Sequence, residues 1–382
     1  MKNIRSSFLL ILQILFLIST EVKSQPEKAE AGIQSIMQAI PVMGLSVAVV
    51  KDNKIIYAQS FGTKSRENNT PLTNDCIFRI ASISKSFSAT SIMQLAERKK
   101  LSIDQDVSEL IGFKVRNPKF PETVITLRLM MSHLSSINDS QGYFSLDAIN
   151  PEKNPNWAKS YSHYEPGKGY AYCNLNFNMI GAIIEKISGE RFDQYVIKHV
   201  LDPLGLYGGY DVDGLDKSRF ASIYEYRADS SKFILSESAY ASRAKDISNY
   251  AMGYTTPVFS PTGGMKISAT DLAKYMLMHS NYGKYKGKRI ISKKSAQQMQ
   301  TALSEEEGYG FAIETTSKMI PGKTMKGHTG VAYGLFSAMF FQPEEKFGIV
   351  VISNGCAPGY SDGYNTVIRK TVNCLYESLI LN

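Results

Sequence analysis

Apolar runs broken by short polar turns mark both ends of this chain. Residues 27–40 carry apolar positions at helical spacing until Pro41 stops them, which predicts an amphipathic helix. Gly44–Val50 and Ile55–Phe61 are β-rich runs, and the Lys51-Asp52-Asn53-Lys54 between them is a hairpin signature. Ile77-Phe78-Arg79-Ile80 reads as a short strand, followed by a helical pattern through Phe87, Thr90, Met93 and Leu95 to the basic tail Arg98-Lys99-Lys100. From about residue 101 to 260 the pattern is helical and loop-rich. Helices are expected at 123–132, 175–188 and 191–200, the last ended by Pro203 and Gly205. Strand character returns at Tyr309–Glu314, Gly334–Phe341 and Phe347–Ser353. Gln342-Pro343-Glu344-Glu345-Lys346 makes the last two a hairpin, and residues 363–380 close the chain as a helix. Strands at both ends around a helical middle predict one sheet built from residues of about 25–100 and 261–382, with the helical part (about 101–260) inserted and packed against it.

The first 24 residues carry a different signal. Lys2 and Arg5 form a charged start, Phe8 to Ile18 is an eleven-residue apolar core, and a polar stretch ends in Val22-Lys23-Ser24. This predicts a signal peptide cut after Ser24. The apolar core is shorter than the roughly 20 residues that span a bilayer; an uncleaved anchor is the alternative. The expectation is a periplasmic or secreted protein with no stable membrane span after cleavage. Removing three basic residues and Glu21 takes the net charge from +8 to +6. That is mild, and without dense basic runs it gives no reason to expect a nucleic-acid partner. The 43% apolar and 20% charged residues are ordinary for a globular chain. Four cysteines do not make a disulfide scaffold, and whether Cys356 and Cys374 pair is left open. No cysteine or histidine spacing suits a metal, so neither a metal nor another cofactor is expected.

Candidate chemistry begins with Ser82 and Lys85, three positions apart at the start of a predicted helix and so on one face of it. A serine hydroxyl needs a neighbouring base to become a nucleophile. A lysine serves if its pKa falls from roughly 10.4 toward 7, as burial or a second positive group can cause. The helix N-terminus adds free N–H groups that favour developing negative charge. The same spacing recurs at Ser242 and Lys245, in a polar stretch without such a setting. Two further clusters complete a site. Tyr172-Cys173-Asn174 precedes a helix: the tyrosine can relay a proton if cations lower its pKa, and the asparagine amide can bind a substrate carbonyl. His328-Thr329-Gly330 lies on a strand, where Gly330 would let an acyl substrate lie along the edge like an extra strand. About half of the 22 tyrosines fall between residues 157 and 260, fitting either a helical core or an aromatic wall beside a cleft.

In this order the motifs resemble those of the serine β-lactamase and penicillin-binding-protein superfamily, nearest the branch of class C β-lactamases, D,D-peptidases and related esterases. The match runs through Phe78-Arg79-Ile80-Ala81-Ser82-Ile83-Ser84-Lys85, Tyr172-Cys173-Asn174 and His328-Thr329-Gly330. Leu129–Ser135 around His133, Pro203-Leu204-Gly205-Leu206, and Gly263-Gly264 leading to Ser268-Ala269-Thr270-Asp271-Leu272 also fit. The resemblance implies an α/β sandwich with a mostly antiparallel five-stranded sheet plus an inserted all-helical subdomain, with the site between them. It implies Ser82 as the acylated nucleophile, Lys85 and Tyr172 as acid/base groups, and Asn174 as the substrate-orienting amide. The backbone N–H groups of Ser82 and Val331 would form the oxyanion hole, and His133 would be structural.

Three departures shape the functional expectation. His328 stands where lysine is usual, and a histidine is mostly neutral at pH 7, so attraction for a substrate carboxylate should weaken. Lys326, two residues earlier on the strand, is a candidate to restore the charge. Leu134 and Ser136 replace the usual threonine and glycine, and a positive φ at Ser136 would carry strain. Cys173 takes the place of a usual serine. The expectation is an exported serine hydrolase acting on small esters, amides or D-amino-acid cell-wall peptides, and on β-lactams weakly. An acyltransferase using the same acyl-enzyme, and a non-catalytic penicillin-binding sensor or scaffold, are the alternatives.

Overall fold

The structure is a computed structural model that describes residues 24–304 and 306–381. The predicted signal peptide lies outside the described residues, Ser24 apart. Ser24 opens the first helix, α1 (Gln25–Ala39), its backbone N–H donating to Glu27 Oε2 at 2.8 Å in a capping box. The expected hairpin follows as β1 (Val42–Lys51) and β2 (Lys54–Ser65). Its turn places Asp52 and Asn53 at φ 47° and 66°, a conformation these two residue types accept readily. The next elements are β3 (Thr70–Pro71), β4 (Phe78–Arg79) and α2 (Ser84–Glu97). α3 (Asn174–Ser188), β5 (Lys266–Ile267) and α4 (Ala269–Ser280) come from the middle and later chain. The C-terminal part supplies β6 (Glu314–Ile320), β7 (Lys323–Ala332), β8 (Leu335–Gln342), β9 (Phe347–Cys356) and α5 (Thr366–Leu379).

The main sheet runs β6-β7-β8-β9-β1-β2-β3, every neighbour antiparallel, so the two ends of the chain meet where β9 pairs β1. It has seven strands rather than the five expected. One reason is visible in β3, which pairs with β2 at only two positions, too few for any hydrophobic period to announce; Pro71 suits that edge. Both faces are covered. Leu45, Val47 and Val49 of β1 pack with Ala29 and Ile33 of α1 and with Val367, Val372 and Leu375 of α5. Ala48 and Val50 point the other way, into the larger core that contains Leu272, Ala273 and Met276 of α4 and most of α2 and α3. Strands buried on both sides read as unbroken apolar runs, which is why these ends were legible.

The middle departs from the expected pattern. The stretch 101–260 is not all-helical: Tyr224–Arg227 and Lys232–Leu235 form an antiparallel hairpin, with Ser231 at φ 54° in its turn. In Tyr224–Arg227 aromatic residues alternate with charged ones, the period of a strand. The helix expected over 123–132 is confined to Leu127–Met131, opened by Thr126, whose side chain accepts from Leu129 N–H. Pro203 sits inside the last turn of the next helical stretch, and Gly205, at φ 65°, ends it. Tyr309–Glu314 is not a strand: Ala312 at φ 54° breaks the extended backbone, and β6 begins at Glu314. Cys356 and Cys374 are both free. The Cys356 thiol faces Asn365 Oδ1 at 3.5 Å and that of Cys374 faces the Ala29 carbonyl at 3.8 Å. No described helix is long and apolar enough to cross a membrane.

Candidate active site

Ser82 is placed by a short ladder and a strained turn. β4 pairs with β5 through Phe78↔Ile267 and Arg79↔Lys266. The chain then turns at Ala81, whose φ of 47° costs a residue with a Cβ roughly 1–3 kcal/mol. A single 3-10 turn, Ala81–Ile83, leads into α2, so Ser82 opens the helix as its sequence suggested. α2 is buried from Ser84 to Leu95 on every side. Its hydroxyls are satisfied within the fold: Ser86 donates to Ile83 O, Ser88 to Pro261 O and Ser91 to Phe87 O. That complete enclosure takes Lys85 out of water.

Lys85 is 0% exposed, and its Nζ lies 3.1 Å from Ser82 Oγ, 2.8 Å from Asn174 Oδ1 and 3.1 Å from the Thr262 carbonyl. Burial pulls its pKa down to about 7, against the nearby negative charge of Asp139. The drop expected from sequence is therefore present, with burial alone as its source. A neutral amine has two N–H donors and one lone pair. The carbonyl of Thr262 and the amide oxygen of Asn174 can only accept, so they take both donors and leave the lone pair for the Ser82 hydroxyl.

The Asn174 amide is held in that orientation from behind. Asp139 accepts from Asn174 Nδ2 and from the backbone N–H groups of Asn174 and Leu175, each at 2.9 Å. Thr262 Oγ1 donates to Asn174 Oδ1 at 2.8 Å. Asp139 thus caps the first turn of α3 from a different segment, where the helix's own N-cap residue, Cys173, makes no side-chain cap. His133, fully buried, accepts the Cys173 N–H at its Nδ1 (3.1 Å), and burial keeps it neutral. It fixes the backbone between Tyr172 and Asn174, the structural role expected of it. Its ring lies 4.3 Å from that of Tyr172.

Tyr172 lines the cavity beside Ser82, and its ring centroid is 4.6 Å from Lys85 Nζ. It is 41% exposed toward the cavity, and the burial of the rest of the side chain pushes its pKa up. The lowering by cations on which a proton relay was conditional is therefore absent, and Tyr172 stands as a neutral O–H donor. His328 is likewise neutral. Its Nδ1 faces the Thr329 carbonyl at 2.5 Å and must carry the proton, so Nε2 accepts from Tyr309 O–H at 2.7 Å. Burial and the Lys85 charge hold its pKa at about 3. Lys326 does not bring its charge to the cavity: it is not among the lining residues, and its ammonium donates to the Gln300 carbonyl. These groups face a cavity of about 700 Å³.

Residues 30–373 match the family model described as Beta-lactamase. The chain belongs to the beta-lactamase family. Protein flp of Staphylococcus aureus is 21% identical over 338 residues, covering 84% of this chain and 61% of flp; the match therefore spans under two thirds of that relative's length. Among solved structures of the family fold, the octameric penicillin-binding protein homologue from Pyrococcus abyssi is 26% identical, with a TM-score of 0.72 over 93% of this chain and 76% of that one. EstCE1, described as a hydrolase with promiscuous acyltransferase activity, is 22% identical, with a TM-score of 0.72 over 91% of this chain and 99% of that one.

Within the family fold, Ser82, Tyr172, Asn174, His328, Thr329 and Val331 all line the one cavity, with Lys85 directly beneath Ser82. Gly330 does not line it. A Cβ there would meet the Ile80 carbonyl at 2.2 Å, so this glycine lets β7 touch the segment that carries Ser82. β6 pairs β7 only as far as Gly327, which leaves the edge from His328 onward unpaired beside the cavity. Val331, 52% exposed, is on that free edge. Four contributors were missed in the sequence: Asp139, Thr262, Tyr309 and Glu314. Asp139 reads as part of a polar turn, and its partners lie 35 residues on. Glu314 lines the cavity with its pKa raised to about 7 by burial. Among the described residues no cluster of His, Cys, Asp and Glu is disposed to hold a metal.

Proposed function

We propose that this protein is an exported serine hydrolase that carries its substrate's acyl group on Ser82 and acts on small esters, amides or D-amino-acid peptides. One observation carries the reading: a fully buried lysine, with a pKa of about 7, lies 3.1 Å from a cavity-facing serine hydroxyl. As Ser82 Oγ attacks the acyl carbonyl, its proton passes to the Lys85 lone pair. The backbone N–H groups of Ser82 and Val331 receive the developing oxyanion. Tyr172, held neutral, donates its proton to the departing alcohol or amine and takes one back from the Lys85 ammonium, which returns to the neutral amine. Water then attacks the ester on Ser82; its proton goes to the site base and Ser82 recovers its own, releasing the acid. An alcohol in place of that water makes the same site an acyltransferase, an activity that EstCE1 is described as having.

The neutral His328 bears on substrate choice. With its ring nitrogens committed to Tyr309 and Thr329, it offers no positive charge to a β-lactam carboxylate. Turnover of a short-chain nitrophenyl ester, a D-Ala-D-Ala peptide and a chromogenic cephalosporin, each repeated with Ser82→Ala, tests both points. The expected result is ester or peptide turnover above cephalosporin turnover, all lost in the variant, with an acyl adduct on the wild-type chain by intact-mass spectrometry. Absence of any adduct supports the sensor or scaffold alternative; cephalosporin turnover far above the ester rate overturns the argument from His328.

A further inference from the structure

A second cavity, of about 680 Å³, adjoins the one that holds Ser82, and the two share Arg79, Phe144, Ser260 and Tyr333 as walls. Arg79 is 9% exposed. Its Nη2 reaches Ser260 Oγ at a long 3.4 Å, its guanidinium stacks 5.1 Å from the Tyr333 ring centroid, and its Nε has no partner. No carboxylate among the described residues pairs with it, and a charged neighbour that bears on it is another cation, Arg243. Directly across the β4–β5 ladder from Arg79 stands Lys266, 3% exposed, its Nζ given only the Tyr210 carbonyl. Side chains opposite one another in an antiparallel pair share a face, and like charges there repel. Burial and the Arg79 charge pull the Lys266 pKa well down, against the carboxylates of Asp211 and Asp193. Both side chains line the second cavity. A buried guanidinium without a counter-charge is costly unless an anion completes it, and an anion there would also favour the charged form of Lys266.

We infer that this chamber receives a carboxylate of the substrate, so that the molecule acylating Ser82 is an ester or amide bearing a carboxylate near its scissile bond. The inference rests on Ser82 as nucleophile. Only Ile80 and Ala81 separate Arg79 from Ser82, which limits their Cα separation to about 10 Å. The planar guanidinium fork matches a carboxylate. The remaining charges on the chamber walls favour a monoanion over a phosphate: Arg243 is answered by Asp246 at 3.5 Å, and Asp147 stands exposed at the mouth. Lys326 and His328, where the sequence sought that charge, are both committed elsewhere.

The test compares matched nitrophenyl esters that differ only at the far end of the acyl chain: glutarate (carboxylate), valerate (methyl) and a phosphonate analogue. Wild type should favour glutarate over valerate in kcat/KM by about tenfold or more, roughly one charge-assisted hydrogen bond. Arg79→Gln should bring that ratio toward one, Arg79→Lys should keep part of it, and Arg243→Gln should lower it less. Should Arg79→Gln fail to fold, Lys266→Met carries the same expectation of a lowered ratio. A wild-type ratio of one, or a ratio that survives Arg79→Gln, overturns the inference, and preference for the phosphonate overturns the assignment to a carboxylate. Calorimetric titration of Ser82→Ala protein with glutarate alone separates the two readings. If no ester acylates Ser82, the nucleophile reading fails, while glutarate binding that Arg79→Gln abolishes still upholds the chamber and its absence removes it.

Discussion

This chain carries two serine–lysine pairs with the same spacing, and they occupy opposite environments. Ser82 and Lys85 lie where β4 runs into α2; Lys85 is fully enclosed, its amine held by two acceptors, Asn174 Oδ1 and the Thr262 carbonyl, and within 3.1 Å of the Ser82 hydroxyl. Ser242 and Lys245 are both exposed, and Ser242 precedes the four-residue helix Ala244–Ile247 rather than joining it. The Ser242 hydroxyl donates to Asp213 at 2.5 Å, not to a lysine. The spacing is therefore permissive only. What makes the first pair chemical is the enclosure of the amine, which lowers its proton affinity, and the acceptors that aim its lone pair. Those are tertiary facts.

The sharpest way to break the comparison is to remove each serine. Ser82→Ala should lower ester turnover by at least about 10⁴-fold, the scale seen when a covalent nucleophile is lost. Ser242→Ala should leave turnover within about twofold. Equal losses in both variants, or none in either, would abolish the distinction.

The lysines should differ next, in stability against pH. Lys85 has a folded-state pKa of about 7, below the ordinary value of roughly 10.4. Between those values the unfolded chain binds more protons than the folded one, so the contribution of this group to stability rises with pH across that window. Denaturant unfolding at pH 7 and 9 should show a gain of about 2 kcal/mol that Lys85→Met removes. Lys245→Met should keep the wild-type slope. A slope that survives Lys85→Met would mean that the amine is not the group buried neutral.

Enclosure of Lys85 is tuned from behind by Asp139, a positioning residue. Asp139→Asn should lower kcat by about 10- to 100-fold with little change in KM, the scale of a lost orienting group. The acid limb of the kcat/KM profile gives the separating readout. In wild type, kcat/KM should rise through pH 7 as Lys85 loses its proton. Asp139 holds that pKa up, so its neutralisation should move the limb to lower pH. A purely structural loss would lower the rate and leave the limb where it was.

These residues also show why part of the molecule was legible and part was not. β1, β8 and β9 were readable because burial on both sheet faces writes itself as contiguous apolar residues, β2 by the turn that joins it to β1, and the closing helix by its helical spacing. Ser82, Lys85, Tyr172, Asn174 and His328 were readable because each sits in a local motif. Asp139 has no local signal: it stands in a polar turn, and its work is done on α3. Thr262 contributes a carbonyl as well as its hydroxyl, and a carbonyl leaves no mark in a sequence. The acidity of Tyr172 was left conditional in the sequence for a related reason. Its sign depends on desolvation outweighing nearby charge, which only the packed site decides. Gly330 was assigned to substrate because a missing side chain looks like room for a ligand, yet the room is filled by Ile80.

The smallest expected effect is the stability change in Ser242→Ala. Its hydroxyl gives up one bond to Asp213, which keeps Lys217 Nζ at 3.1 Å, and a long one at 3.3 Å accepted from the Ala244 N–H. The Ser242 bond is the leading cause that holds the Asp213 carboxyl below its usual pKa, with Lys217 second. Without the hydroxyl that pKa should move back up, but water reaches both groups and replaces the lost donor. The net change should stay within about 0.5 kcal/mol, as for exposed surface substitutions. A thermal melt beside that of Ser82→Ala measures it at pH 7, where the Asp213 carboxylate is charged in both states. A loss well above that bound would show that the second pair is built into the fold rather than laid on its surface, and the contrast between enclosed and exposed copies would then need another explanation.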